Sequence, residues 1–209
     1  MPFYVINKDY NNKIFTNDNF DIDVLEFNTK EEAEDYLKND ENVGNNLEEI
    51  IVFTDGACSM NGSVNAKAGM GVYFGENDSR NISKRIEGKQ TNNTAELSAV
   101  IEVFNILKTD IQNQNKITIY TDSEYSIKCC GSYGEKCEKK NWIKKNGGIP
   151  NVELVKKGYN LFKKNKNVQL KYIKAHTGKN DYLSKGNEGA DKLANLSIGE
   201  NNCPYTNID

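Results

Sequence analysis

Val52-Phe53-Thr54-Asp55 and Ile119-Tyr120-Thr121-Asp122 say nearly the same thing twice. Each is a run of β-branched and aromatic residues halted by Thr-Asp, the pattern of a buried strand bounded by polar residues. An aspartate at a strand's end can face a cleft instead of the core. Two such strands side by side would bring two carboxylates within reach of one cation. Working outward, residues 69–74 and 82–86 read as further strands, and the turn-rich gaps make them an antiparallel meander with residues 50–54. Residues 95–107 place Ala95, Ala99, Val103 and Leu107 at helical spacing. A strand at 117–121 follows, then the start of a helix at 123–128 and a basic loop or broken helix over 131–148. A helix over 150–164 carries Val152, Val155, Tyr159 and Phe162 on one stripe. A strand at 168–173 comes next, then a last helix capped by Asn187 and running through Ile198. This order predicts an α/β fold, a mixed five-stranded sheet flanked by helices.

The remaining sequence divides naturally. Residues 1–40 form a small α+β module: Phe3-Tyr4-Val5-Ile6 and Val24-Leu25-Glu26-Phe27 are short strands, and Thr29-Lys30-Glu31-Glu32 is a capping box opening a helix through Leu37. Polar residues 41–47 read as a linker, residues 48–200 as the main domain, and 201–209 as a tail. The net charge of −3 hides an asymmetry. Residues 1–50 hold four lysines against thirteen Asp and Glu, whereas residues 128–174 hold thirteen lysines against three glutamates. A basic excess of that size suits a polyanionic partner, although a lysine-rich solvated face would look the same. No apolar run is long enough to span a bilayer, so no membrane partner is expected. The first fifteen residues lack the layout of a signal or transit peptide. Five cysteines, Cys58, Cys129, Cys130, Cys137 and Cys203, fit no disulfide framework and point to a reducing compartment, cytoplasmic or nuclear. Nothing calls for a dimer, and a monomer is the expectation.

Four carboxylates stand out: Asp55, Glu96, Asp122 and Asp191. Each has an innocent local explanation. Asp55-Gly56 is a turn dipeptide. Glu96 completes a capping box begun at Asn93. Asp122 can cap the helix after it, and Asp191 falls in a first helical turn, where the macrodipole favours an acid. Jointly they are harder to dismiss, because all four fall at strand ends or helix starts, where α/β folds gather their sites. Four clustered carboxylates repel one another, and two divalent cations would cancel their charge. Oxygen ligands suit Mg²⁺ or Mn²⁺. Two such ions about 3.5–4 Å apart can activate a water and steady a leaving oxygen in phosphodiester cleavage.

Five segments, taken in order, resemble the successive motifs of the type 1 ribonuclease H family. They are Thr54-Asp55-Gly56-Ala57-Cys58-Ser59-Met60-Asn61-Gly62, Thr91-Asn92-Asn93-Thr94-Ala95-Glu96-Leu97, Tyr120-Thr121-Asp122-Ser123-Glu124-Tyr125, the stretch around His176, and Gly186-Asn187-Glu188-Gly189-Ala190-Asp191. The resemblance covers roughly residues 48–200. It implies a ribonuclease H-like sheet and an endoribonuclease that cuts the RNA strand of RNA–DNA hybrids with two Mg²⁺ ions, leaving 3′-hydroxyl and 5′-phosphate ends. It places metal ligands on Asp55, Glu96, Asp122 and Asp191, with Asp55 bridging both ions. It gives His176, the only histidine, a role in proton handling or product release, for which an imidazole is suited. Residues 179–185 make the loop before Asn187 longer than is usual.

By the same resemblance, the RNA strand is read through its 2′-hydroxyls by Cys58, Ser59, Met60 and Asn61 together with Asn92 and Asn93. Asn93 stands where glutamine is commoner. The DNA strand meets a phosphate pocket of Lys89, Thr91 and Asn151, with lysine replacing a frequent arginine and its bidentate grip. Trp142, set among lysines, suits a basic groove with an aromatic platform, and Tyr133 takes the place of another channel aromatic. Residues 129–137 depart from the family pattern; the spacing of Cys129, Cys130 and Cys137 is not that of a zinc site. The N-terminal module is similar to the family's small hybrid-binding domain, yet it is acidic and lacks tryptophan, while hybrid binding needs phosphate neutralisation. It is a candidate binder of nucleic acid or of a protein. The alternative to the enzyme is a non-catalytic hybrid-binding or scaffold protein that kept the fold.

Overall fold

The structure is a computed structural model, and it describes residues 4–7, 13–16, 24–27, 29–39, 49–144, 147–175 and 178–199. Two compact units divide the chain, Met1–Glu48 and Glu49–Asp209. In the first, β1 (Tyr4–Asn7), β2 (Lys13–Thr16) and β3 (Val24–Phe27) form an antiparallel sheet in the order β2-β1-β3, followed by α1 (Lys30–Asn39). Strand β2 was not foreseen: Lys13-Ile14-Phe15-Thr16 is short and its neighbours are rich in Asn and Asp, which read as turn. The cap of α1 is present in part, the Glu32 N–H donating to Thr29 Oγ1 at 3.1 Å. The linker at 41–47 and the tail at 201–209 lie outside the described residues.

The second unit contains the expected five-stranded mixed sheet. Its strands are β4 (Ile50–Ser59), β5 (Lys67–Tyr73), β6 (Ile82–Arg85), β7 (Ile117–Thr121) and β8 (Val168–Tyr172), in the order β6-β5-β4-β7-β8. The first three are antiparallel, and β7 and β8 run parallel to β4. Its helices are α2 (Asn92–Ile106), α3 (Lys108–Gln112), α4 (Glu124–Cys130), α5 (Ser132–Glu138), α6 (Val152–Lys164) and α7 (Tyr182–Ser197). Among the described residues, no helix is long and apolar enough to cross a membrane.

Strand alternation divides the core in two. Val52 joins Val72, Val103, Phe104, Ile117 and Ile119 in a cluster closed by α2. Phe53 points the other way, to Ala190 of α7 and to Ile173. A further cluster of Leu97, Val100, Ile101, Cys129, Cys130 and Val155 ties α2 to α4 and α6. Burying a Val, Leu, Ile or Phe side chain is worth about 1.5–3 kcal/mol, so these two faces hold the sheet between helices. Cys129 and Cys130 of that cluster, and Cys137 of α5, are free and buried, and burial raises the Cys129 thiol to about 11.

Helix starts are where the structure departs most from the sequence reading. Helix α2 begins at Asn92, capped by Thr91, whose hydroxyl and that of Thr94 exchange bonds with each other's N–H groups. Glu96 therefore takes no part in the capping box. Ser123, not Asp122, caps α4, accepting from the Ser126 N–H at 3.1 Å. The largest difference concerns α7. Asp181 accepts from the Ser184 N–H at 2.9 Å and starts the helix there. Asn187 is thus inside the helix and caps nothing, Asp191 lies at mid-helix away from the macrodipole's positive end, and residues 182–185 lengthen a helix and not a loop. The basic stretch expected as loop or broken helix contains α5, with Gly134 packed under Tyr159.

Candidate metal centre and nucleic-acid interface

The two Thr-Asp strands lie next to each other in the sheet. Their parallel register pairs Val52 with Ile119, Phe53 with Tyr120 and Thr54 with Thr121. Asp55 and Asp122 are each the next residue, so the ladder itself brings them together. Strand β7 ends at Thr121 while β4 runs on to Ser59, and this leaves a gap beside Asp55. Asp55 is therefore within a strand, not a turn. Parallel strands release their sites at such carboxyl ends.

Glu96 enters the gap from α2. The helix can come close because residue 56 is glycine: a Cβ there would collide with the Glu96 N and the carbonyl carbon of Ala95. A second close approach brings in α7, where a Cβ on Gly71 would strike the backbone of Ala190 and Ala194. Gly71 is the β5 partner of Asp55 across the ladder. Small residues in β4 and β5 thus set how near two helices bring Glu96 and Asp191.

Ligand oxygens of Asp55, Glu96 and Asp122 all lie within 4.8 Å of one another. This triad could hold a metal ion. Asp55 and Glu96 are only 8% and 7% exposed. Burial raises the Asp55 carboxyl well above the usual range, and the charges of Glu96, Asp122 and Asp191 push it further. Burial is also the largest cause for Glu96, with Asp122 next; the Asn92 amide and the Gly56 N–H act against them, and the net result is about 8. Asp191 stands outside the triad but is close enough for its charge to act on both groups.

A neutral group donates to each of the four carboxylates. The Gly56 N–H donates to Asp55 Oδ1 at 2.7 Å, Asn92 Nδ2 to Glu96 Oε1 at 3.2 Å, Asn187 Nδ2 to Asp122 Oδ2 at 3.0 Å, and Asn195 Nδ2 to Asp191 Oδ1 at 2.8 Å. Glu96 Oε2 is buried without a hydrogen-bond partner. A buried, orphaned carboxylate oxygen beside two more carboxylates is a poor arrangement unless a cation completes it. The donor set, all oxygen, fits a hard divalent ion and not zinc. Asn187 and Asn195 were not foreseen in these roles. Their spacing about Asp191, four residues to either side, was the available sign.

The expected substrate contacts fall into separate places. Cys58 and Ser59 end β4, and Met60 and Asn61 begin the hairpin turn, with Met60 at φ 50°. Asn61 Oδ1 accepts from the Asn92 N–H at 3.4 Å, so this turn touches the first turn of α2, where Asn93 is exposed. Thr91 is the α2 cap, and the exposed Lys89 gives its carbonyl to Thr94 Oγ1 at 2.6 Å. Asn151 caps α6 in the left-handed region and donates to the Tyr125 hydroxyl at 3.0 Å. Trp142 packs edge-on against Tyr159, with Lys156 Nζ 6.0 Å above its ring. Tyr133 packs against the same cluster as Trp142. His176 lies outside the described residues.

A family model described as RNase H matches residues 47–198. The chain belongs to the RNase H family. Its resemblance extends to "Ribonuclease H" of Schizosaccharomyces pombe, 38% identical over 72% of this chain and 53% of that protein. The chain thus spans about half the length of that relative. "Ribonuclease H" of Ruthia magnifica subsp. Calyptogena magnifica is 31% identical over 73% of this chain and 97% of its own length. Among solved structures, the RNase H domain of PFV superposes with a TM-score of 0.54 at 19% identity, covering 71% of this chain and 93% of that one. That likeness is one of fold.

Proposed function

We propose that this chain is an endoribonuclease that hydrolyses the RNA strand of RNA–DNA hybrids and leaves 3′-hydroxyl and 5′-phosphate ends. One observation carries the reading: three carboxylates from β4, α2 and the end of β7 share a 4.8 Å space, and one buried oxygen among them has no partner. Asp55, Glu96, Asp122 and Asp191 would hold two Mg²⁺ ions, with Mn²⁺ as a substitute. Bound there, such ions would activate a water and stabilise charge on the leaving oxygen.

The chain's own residues supply the rest. The turn at residues 58–61 and the first turn of α2, joined through Asn61 and Asn92, offer amides and backbone groups to 2′-hydroxyls. A partner lacking that hydroxyl leaves those groups unsatisfied, which is the basis of choosing RNA over DNA. Lys89, Thr91 and Asn151 would hold a phosphate of the DNA strand, and Trp142 and Tyr133 would carry its sugars along the lysine-rich α5–α6 region. His176 would handle a proton or help product leave. The protein acts as a monomer in an intracellular, reducing compartment, and the acidic N-terminal unit binds nucleic acid or protein.

The test is direct. Labelled hybrid, duplex DNA and duplex RNA are each incubated with the protein and Mg²⁺, and with EDTA. The hybrid's RNA strand is expected to be cut in Mg²⁺ alone, and Asp122→Asn should reduce cutting to background while hybrid binding survives. Cleavage of duplex DNA with the hybrid left intact would remove the reading.

A further inference from the structure

Helix α7 contributes more to the site than Asp191. Along one stripe it carries Asn187, Asp191 and Asn195, each four residues from the next. Asn187 is 3% exposed and Asn195 9% exposed, unusual burial for asparagine. Asn187 Nδ2 reaches across to Asp122 Oδ2 at 3.0 Å, and Asn195 Nδ2 donates to both Asp191 Oδ1 at 2.8 Å and the Asp191 carbonyl at 3.0 Å. The amide nitrogen must face the carboxylate in both cases, because an amide oxygen there would meet another acceptor.

Asp122 stands at the end of β7, followed by the Ser123 cap of α4, and its carboxylate is only partly buried. A side-chain hydrogen bond reaches it from α7. A carboxylate has two oxygens that can exchange by rotation about its last bond. A fixed donor on Oδ2 removes that freedom and would leave Oδ1 for a cation. Asn195 does the same for Asp191 by occupying its Oδ1. Asparagine achieves this without adding a charge. A lysine in either place would partly neutralise the carboxylates and compete with a cation; an aspartate would add repulsion.

We propose that Asn187 and Asn195 are positioning residues: from one helix they fix which oxygens of Asp122 and Asp191 are presented to the bound ions. This deepens the nuclease reading and rests on it for the reaction, but not for cation binding. Asn187 is the stronger case, since it joins two elements distant in sequence. Its own Oδ1 is buried without a partner, so the side chain is held by the carboxylate it orients and by packing alone. Outer-shell donors of this kind typically govern metal affinity or activity by about 10–100-fold.

The experiment uses the full chain without substrate. Mn²⁺ binding to wild type, Asn187→Ala, Asn195→Ala and Asn187→Asp is followed by calorimetry, with thermal unfolding in EDTA as a check on folding. Cleavage of labelled hybrid gives kcat and KM separately. Asn187→Ala is expected to bind Mn²⁺ about tenfold or more weakly, with a matching fall in kcat at fixed Mg²⁺, recovery at higher Mg²⁺, and an unchanged KM for hybrid. Asn187→Asp should be worse than alanine. Wild-type Mn²⁺ affinity in both alanine variants would overturn the proposal, as would a loss that merely tracks a lowered melting temperature. If weakened Mn²⁺ binding is found while wild type fails to cut hybrid, positioning stands and the nuclease reading falls.

Discussion

Removing one acid from the centre should make the protein more stable and inactive at the same time. The folded-state pKa of Glu96, about 8, lies above its ordinary 4.5. Between those values the folded chain holds a proton that the unfolded chain has lost, so stability falls as pH rises through this window. At about 1.4 kcal/mol per pKa unit the effect reaches at most about 5 kcal/mol above pH 8. Water reaching the partly buried Asp122 and Asp191 reduces it, and about 2–3 kcal/mol is a working figure. Glu96→Gln keeps the shape and the acceptor for Asn92 but cannot ionise. In EDTA at pH 8.5 the variant should melt higher than wild type by roughly 5–10 °C, at about 2–4 °C per kcal/mol for a domain of this size. Near pH 4.5 the two should melt together. Added Mg²⁺ should raise wild type more than the variant, since a ligand stabilises the state that binds it. Differential scanning fluorimetry at both pH values, with and without Mg²⁺, reads all four conditions. A variant that melts at or below wild type in EDTA at pH 8.5 would refute the account of strained, mutually repelling carboxylates.

Two further outcomes follow from the packing. Gly56→Ala should cost about 2–3 kcal/mol in urea unfolding and lower kcat by about a hundredfold, because the new methyl must push α2, and Glu96 with it, away from β4. An unchanged kcat would show that Glu96 does not depend on that contact. Ser123→Ala should cost about 1 kcal/mol through loss of the α4 cap, lowering the melting temperature by about 2–4 °C, and circular dichroism melting checks it.

How much of this was legible beforehand varied with the kind of interaction. The doubled Thr-Asp strands were readable because both are continuous apolar runs, and burial on two faces leaves no other pattern for a central parallel strand. The pairing of Asp55 with Asp122 followed once the strands were placed side by side. Helix starts were misread because several residues compete to cap. Asn93, Asp122 and Asn187 all have capping chemistry, yet Thr91, Ser123 and Asp181 take the positions, since the turn of backbone before each helix decides which side chain faces the free N–H groups. The amides of Asn187 and Asn195 showed in the sequence only as neighbours of Asp191 at a spacing of four residues; it is the packing of α7 against Gly71 and Phe53 that brings that stripe to the site. Helix α5 was obscured by Gly131 and Gly134, which read as loop, although Gly134 serves a close approach of Tyr159.

The ladder between β4 and β7 has an evolutionary corollary. Because side chains alternate with a period of two, inserting or deleting a single residue within either strand would send its aspartate to the opposite side of the sheet and dismantle the centre in one step. The segments between elements carry no such parity. Length variation in this lineage should therefore accumulate where the chain turns, while the spacing from Val52 to Asp55 and from Ile119 to Asp122 stays invariant.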